Sequence, residues 1–178
     1  MENPKIISWN VNGIRSRIFN EKIGSKINKN KDLDLESNSP INEILKYDPD
    51  IICFQETRCN KIYGETHIKI PGYNSFFNES KMTDARGPDR YSGTAIFYKS
   101  SMIPTLINTH IPGYTDMEGR IIIIHFEKFI VINVYSPNSG TNYNTFRCSN
   151  IERKLIHLHF IPLYRKTVSK RYKFVFYK

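Results

Sequence analysis

The chain has 178 residues and a net charge of +9, with 26 basic and 17 acidic side chains. This length and an aromatic content of 13% predict one domain with an apolar core and exclude a disordered chain. No apolar stretch approaches the roughly 20 residues that span a bilayer, and the amino-terminal residues lack the order of a signal peptide. We therefore expect no membrane partner. The three cysteines are odd in number and lack metal-ligand spacing. They therefore fit a reducing intracellular compartment better than a disulfide scaffold.

Short β-branched or aromatic runs predict most of the secondary structure. They indicate strands at residues 5–10, 50–55, 73–77, 92–98, 120–126, 129–135 and 172–177. Only Glu127 and Lys128 separate two of these runs, and this spacing predicts a hairpin. Apolar residues at i, i+3 and i+4 predict helices at 40–47 and 144–160. The predicted fold class is a layered α/β or α+β sandwich.

Two segments differ in composition from the predicted strands and helices. Residues 20–39 are rich in Asn, Lys, Ser and Asp, and we interpret them as a polar surface insertion in a single domain that covers residues 1–178. Residues 79–91 form a second polar loop. Substrate contact and simple mobility explain these compositions equally well.

Polar side chains follow the predicted strands at three places. Asn10 and Asn12 follow the first run, Glu56 follows the second, and Tyr135 and Asn138 follow the sixth. Open α/β sheets bind ligands at the carboxyl ends of their strands. The polar residues at these three strand ends therefore predict one shared site. Each tip also has a structural interpretation. The asparagines suit tight turns, the tyrosine suits a half-buried core, and a lone glutamate suits an exposed strand end.

The positive charge is concentrated at the carboxyl-terminal end. A single acid, Glu152, opposes the basic residues that follow Phe146, namely Arg147, Arg153, Lys154, Arg165, Lys166, Lys170, Arg171, Lys173 and Lys178. A basic patch of this kind is typical of a polyanion-binding surface, with nucleic acid as the commonest ligand. A solvated helix face, or a tail that pairs with acids elsewhere, explains the same pattern.

Five short motifs carry a resemblance when they are taken in order. They are residues 8–15 (Ser-Trp-Asn-Val-Asn-Gly-Ile-Arg), 50–58 (Asp-Ile-Ile-Cys-Phe-Gln-Glu-Thr-Arg), 91–93 (Tyr-Ser-Gly), 118–120 (Glu-Gly-Arg) and 135–138 (Tyr-Ser-Pro-Asn). Together they resemble the exonuclease III and apurinic endonuclease branch of the endonuclease/exonuclease/phosphatase superfamily. The resemblance implies a DNase I-like layered sandwich.

The resemblance also implies roles for the residues at the strand tips. Glu56 would bind a divalent cation, Mg²⁺ or alternatively Mn²⁺, with amide oxygens of Asn10 and Asn12 as further ligands, because hard cations prefer oxygen. Tyr135 and Asn10 would be catalytic, since a neutral phenol donates a hydrogen bond to developing negative charge. The expected contacts to DNA phosphates are Arg15, Arg58, Tyr91 and Asn138.

The implied activity is DNA repair. A family member of this type hydrolyses the backbone of double-stranded DNA at abasic sites or trims 3′ ends, and residence would be nuclear or cytoplasmic. A phosphatase for lipid or inositol phosphates is disfavoured by the Asn-Gly-Ile-Arg and Tyr-Ser-Pro-Asn motifs.

One departure from the family pattern sets further expectations. Family members continue with a Gly-Asp-x-Asn motif and a later Ser-Asp-His motif, whereas this sequence ends at Lys178. We therefore expect an amino-terminal half domain with one mainly antiparallel or mixed sheet, one uncovered apolar face, few helices and little or no nuclease activity. The alternatives are a split enzyme completed by a second chain, a truncated gene model, and a decayed copy that binds nucleic acid without catalysis.

Overall fold

The computed structural model describes residues 4–18, 39–82, 91–111, 116–136 and 171–177. In chain order the elements are β1 (Ile6–Asn10), α1 (Ile14–Ile18), α2 (Pro40–Leu45), β2 (Ile51–Gln55), α3 (Lys61–His67), β3 (Tyr73–Asn78), β4 (Thr94–Lys99), β5 (Leu106–Asn108), β6 (Ile121–His125), β7 (Phe129–Tyr135) and β8 (Arg171–Tyr177). None of the helices in these ranges is long and apolar enough to cross a membrane.

The strands form two four-stranded sheets. The first has the order β1-β2-β4-β3, in which β1 and β2 are parallel and the other pairs are antiparallel. The second has the order β5-β6-β7-β8, in which only β7 and β8 are parallel. The layered sandwich that the sequence predicts is confirmed, but the expectation of one sheet is wrong.

The two sheets share an apolar layer. This inter-sheet cluster takes alternate residues from the central strands and adjoining turns, which are Ile51, Cys53, Ile96, Tyr98, Ile122, Ile124, Phe126, Phe129 and Val131. Side chains two residues apart on a strand point to the same face, so alternate isoleucines fill the layer between the sheets. The opposite faces of β6 and β7 are also buried at Ile123, Ile130 and Ile132. The expectation of an uncovered apolar face is therefore wrong as well.

A second apolar cluster covers the outer face of the first sheet. Ile52, Phe54 and Phe97 pack there against Ile14 of α1 and Ile41 of α2. The central strand β2 is consequently buried on both faces. This explains why residues 51–54 form a continuous apolar run rather than an alternating one.

Local capping signals define α2 and α3. The Ser39 side chain accepts from the backbone N–H of Ile41, and Pro40 occupies the first helical turn. The predicted helix at 40–47 is confirmed with an end at Leu45. The helix α3 was missed because Gly64 interrupts its pattern. That glycine gives room to Phe77, whose ring carbons would lie 2.7 Å from an added Cβ.

The hairpin prediction is confirmed, since β6 and β7 pair from Ile121 with Val134 to His125 with Ile130. The predicted strands in the described ranges are likewise present. The three-residue strand β5 was missed because it is too short and exposed to show alternation. The predicted helix at 144–160 and nearly all of the insertion at 20–39 lie outside the described residues.

Candidate active site

The carboxyl ends of β1 and β2 lie side by side because these strands are parallel. Backbone bonds continue the pairing past the strands, from Val11 N–H to Gln55 O at 3.0 Å and from Gly13 N–H to Glu56 O at 2.7 Å. Glu56 follows β2 directly and has a φ of 52°, a left-handed conformation that costs a non-glycine residue about 1–2 kcal/mol. Its side chain is 18% exposed. The fold thus holds a partly buried carboxylate at this sheet edge.

Three side chains donate hydrogen bonds to Glu56. Asn10 Nδ2 donates to Oε1 at 2.8 Å, Arg58 Nη2 donates to Oε2 at 3.0 Å, and the Tyr135 hydroxyl also donates. Burial by itself raises the pKa of Glu56, but these donors outweigh it, and the pKa lies below its ordinary value. Glu56 is therefore held as an anion near neutral pH.

Tyr135 lies at the end of β7 and links the second sheet to this carboxylate. Burial, followed by the hydrogen bond to Glu56, raises the pKa of the Tyr135 phenol to about 12. The phenol consequently stays protonated over the whole physiological range. It can donate a hydrogen bond but cannot serve as a base there.

Arg120 is a central residue of this region to which sequence reasoning assigned no role. It is 3% exposed. Its Nε donates to the Glu118 carboxylate, its Nη2 donates to the Tyr91 hydroxyl at 3.1 Å, and its Nη1 donates to the Tyr135 carbonyl at 3.3 Å. The guanidinium also lies 4.6 Å from the centre of the Tyr135 ring. Arg120 thus contacts both tyrosines and constrains their positions.

The turn that carries Arg120 is tightly packed. The Asp116 carboxylate accepts from the backbone N–H groups of Glu118 and Ile121. Gly119 has a φ of 65°, and an added Cβ would lie 2.6 Å from the backbone oxygen of Asn78. Only glycine combines this conformation with so close an approach to β3. The Glu-Gly-Arg motif is the sequence signal for this turn.

The structure brings only part of the predicted site together. Asn10, Glu56, Arg58 and Tyr135 form one hydrogen-bonded group, and Tyr91 joins it through the guanidinium of the Glu-Gly-Arg turn. Asn138 lies outside the described residues.

Two predicted site residues lie at the edge of this group. The Asn12 side chain is exposed, and its backbone N–H donates to Asn10 Oδ1 at 3.1 Å. Arg15 lies over the Tyr63 ring at 5.0 Å. The turn-forming interpretation of Asn12 therefore fits its geometry, and Arg15 is placed beside the turn.

Glu56 is the side chain in this group that is chemically suited to a divalent cation. Each carboxylate oxygen accepts more than one interaction, so the bonds from Asn10 and Arg58 leave capacity for a cation. In the described ranges, no cluster contains three or more carboxylate, histidine or cysteine ligands. This donor set suits Mg²⁺, which binds through one or two carboxylates and retains several waters.

Comparison with known proteins identifies the family of this chain. Residues 7–172 match the profile of the Endonuclease/Exonuclease/phosphatase family. An exodeoxyribonuclease of Streptococcus pneumoniae is 31% identical over 144 residues, which cover 76% of this chain and 48% of that protein. A DNA-(apurinic or apyrimidinic site) endonuclease 2 of Xenopus laevis is 28% identical, over 89% of this chain and 31% of that protein. The chain thus spans about half or less of the length of these relatives.

A solved structure supports the fold assignment. The 3′-5′ exonuclease from Neisseria meningitidis superimposes with a TM-score of 0.64 at 19% identity, over 95% of this chain and 55% of that chain. The predicted DNase I-like class is therefore confirmed. The chain belongs to the endonuclease/exonuclease/phosphatase family, in the branch of the exodeoxyribonucleases and apurinic endonucleases.

Proposed function

We propose that this chain carries the Glu56 part of a metal-assisted phosphodiesterase site that acts on the DNA backbone at abasic sites or 3′ ends. The observation that carries the proposal is the hydrogen-bonded group of Asn10, Glu56, Arg58 and Tyr135 at the joined strand ends. A half-buried tyrosine and a strained carboxylate are features that functional sites retain at a cost in stability.

The chemistry follows from the residues themselves. A divalent cation bound at Glu56, Mg²⁺ by the donor chemistry, would neutralise charge on a scissile phosphate. Asn10 orients the carboxylate. The single Tyr135 O–H would move its hydrogen bond from Glu56 to the developing negative charge when a phosphate is bound, and its high pKa keeps that proton in place. Arg58, with a side chain 37% exposed, is available to contact a DNA phosphate.

A duplex with a single abasic-site analogue tests this proposal. Purified wild-type chain is incubated with the duplex in Mg²⁺ or EDTA beside Glu56→Gln. The matched control is Glu127→Ala, which removes an exposed carboxylate from the β6–β7 turn. We expect weak incision that requires Mg²⁺, that falls about a hundred- to a thousandfold in Glu56→Gln, and that is retained in Glu127→Ala.

Two results would contradict the proposal. Incision that is equal in wild type and Glu56→Gln would place the chemistry elsewhere. No incision in Mg²⁺, together with salt-sensitive DNA binding, would favour the second candidate function, a non-catalytic nucleic-acid-binding chain. The concentration of basic residues after Phe146 is the observation that favours this second candidate.

A further inference from the structure

A buried amide pair connects the two sheets one step behind the candidate site. Asn133 in β7 and Gln55 in β2 are both 0% exposed. Gln55 Nε2 donates to Asn133 Oδ1 at 2.7 Å. Asn133 Nδ2 donates to the backbone oxygens of Phe54 and Ala95, each at 3.0 Å. The second sheet is therefore hydrogen-bonded through one side chain to β2 and β4 of the first.

The position of this pair along the strands relates it to the site. Gln55 immediately precedes Glu56. Asn133 lies two residues before Tyr135 and therefore on the same face of β7. Val131, two residues earlier on that face, already belongs to the apolar inter-sheet cluster. The sandwich thus changes from apolar to polar at the layer next to the Glu56–Tyr135 contact.

The pair is not an optimal solution for stability alone. Gln55 Oε1 is buried and has no hydrogen-bond partner among the described residues. Such an atom destabilises the fold relative to a satisfied group, and an apolar pair of similar volume avoids that cost. Buried polar networks do have a second effect, which is to select one relative placement of the elements they join.

We propose that Asn133 and Gln55 are positioning residues that hold the ends of β2 and β7 in the placement where the Tyr135 hydroxyl reaches the Glu56 carboxylate. The catalytic meaning of this placement rests on the proposed function, whereas the placement itself does not. Without the amide pair, the sheets would remain packed through the inter-sheet cluster, but the two strand ends would move relative to each other.

A double-mutant cycle between Tyr135→Phe and Glu56→Gln, read by urea unfolding, measures the coupling between these two side chains without any need for nuclease activity. The cycle is run in wild type and is repeated in two variant backgrounds. These are Asn133→Leu, which removes the cross-sheet amide, and Gln55→Met, which preserves the volume of Gln55 and leaves the Asn133 bonds to Phe54 and Ala95. We expect the Tyr135–Glu56 coupling to be lost in both backgrounds. Val131→Ala is the control for simple core damage, and there the coupling should be unchanged.

The outcomes separate the two proposals. An unchanged Tyr135–Glu56 coupling in the folded variants, or an equal loss of coupling in Val131→Ala, overturns the positioning role. If Asn133→Leu does not fold, Gln55→Met alone decides. A lost coupling supports the role even when the wild-type chain shows no incision, in which case only the proposed function fails. When wild type is active, we expect kcat of Gln55→Met to fall on the order of a hundredfold, as small misplacements of reacting groups do, with KM little changed.

Discussion

Individual residues at the site act mainly through the hydrogen bonds they give to Glu56. Burial alone would favour the protonated acid, yet the pKa of Glu56 lies below its ordinary value because Asn10, Tyr135 and Arg58 donate to it. Asn10 is the most constrained of these donors, since its other amide atom accepts from the Asn12 backbone. The electrostatic state of the carboxylate therefore depends on neighbours that belong to three different strand ends.

Removing one donor should change the acid titration of Glu56. In Asn10→Leu the burial remains while a principal donor is lost, so the pKa of Glu56 should rise. The pKa of Glu56 is lower in the native protein than in the unfolded chain. The ionised carboxylate therefore stabilises the fold above about pH 4.3. This contribution is lost as the pH falls through the native pKa, and it should shrink in Asn10→Leu.

Carboxyl ¹³C titration of Glu56 in wild type and in Asn10→Leu measures the change directly. Urea unfolding at pH 7 and pH 3 measures the linked stability. A Glu56 titration that is the same in wild type and Asn10→Leu would show that the asparagine does not set its protonation.

This group shows which site residues can be predicted from the sequence and which cannot. Asn10, Glu56 and Tyr135 are recognisable because each follows a run that must form a strand. The role of Arg120 was not predictable in the same way. Its contacts with the two tyrosines depend on the register of β6 on β7, in which the Tyr135 N–H donates to the Arg120 carbonyl at 2.9 Å. The predicted hairpin sets that register, but the contact with Tyr91 comes from a distant segment that no local pattern places.

Among the elements, the turn at residues 116–120 is the most demanding sterically. Gly119→Ala places a methyl carbon 2.5 Å from the backbone carbon of Glu79 in a backbone with φ of 65°. Gly72→Ala has a φ of 81° but meets nothing within 4 Å. The matched pair separates steric clash from conformational strain.

We expect Gly72→Ala to destabilise the fold by about 1 kcal/mol through strain alone. Gly119→Ala should cost clearly more, because backbone rather than a flexible side chain must move. Urea unfolding of both variants at equal temperature makes the comparison. Equal losses of stability would mean that the turn can shift away from β3 without penalty.

Elements with strong apolar patterns were predictable, and weakly patterned ones were not. The strands β2, β6 and β7 consist of β-branched and aromatic runs that leave little alternative. By contrast, α3 contains a central glycine whose purpose is visible only when Phe77 is packed against it. The three-residue strand β5 depends on pairing with β6 rather than on its own residues.

At the scale of the whole molecule, the two sheets are expected to unfold together. The sequence predicted the strands of the second sheet but not that they form a separate packed layer. The expectation of a single sheet was drawn from the missing family motifs, and those motifs do not show which of the present strands cover the first sheet. The inter-sheet cluster is what makes the described fold a sandwich.

Ile124→Ala tests this cooperation, since it truncates a residue of the second sheet that is 0% exposed. It should lower the free energy of unfolding by about 2–5 kcal/mol. Fluorescence of Trp9, the single tryptophan, reports on the first sheet, and far-UV circular dichroism reports on the whole chain. Both midpoints should shift equally. Ile103→Ala, at a position 81% exposed, should leave them in place. A Trp9 midpoint that does not move in Ile124→Ala would show that the sheets unfold separately.

The parallel pairing of β1 with β2 has a consequence for the order of folding. Asn10 and Glu56 are 46 positions apart in the sequence, whereas the β6–β7 hairpin closes across a two-residue turn. Loop closure over long separations is slow, so the hairpin can form early while the parallel pair waits for distant chain segments to meet. The Glu56 group should consequently be among the last parts of the molecule to reach its native arrangement. During refolding, the chain would then bury much of its core before the contact between Asn10 and Glu56 forms.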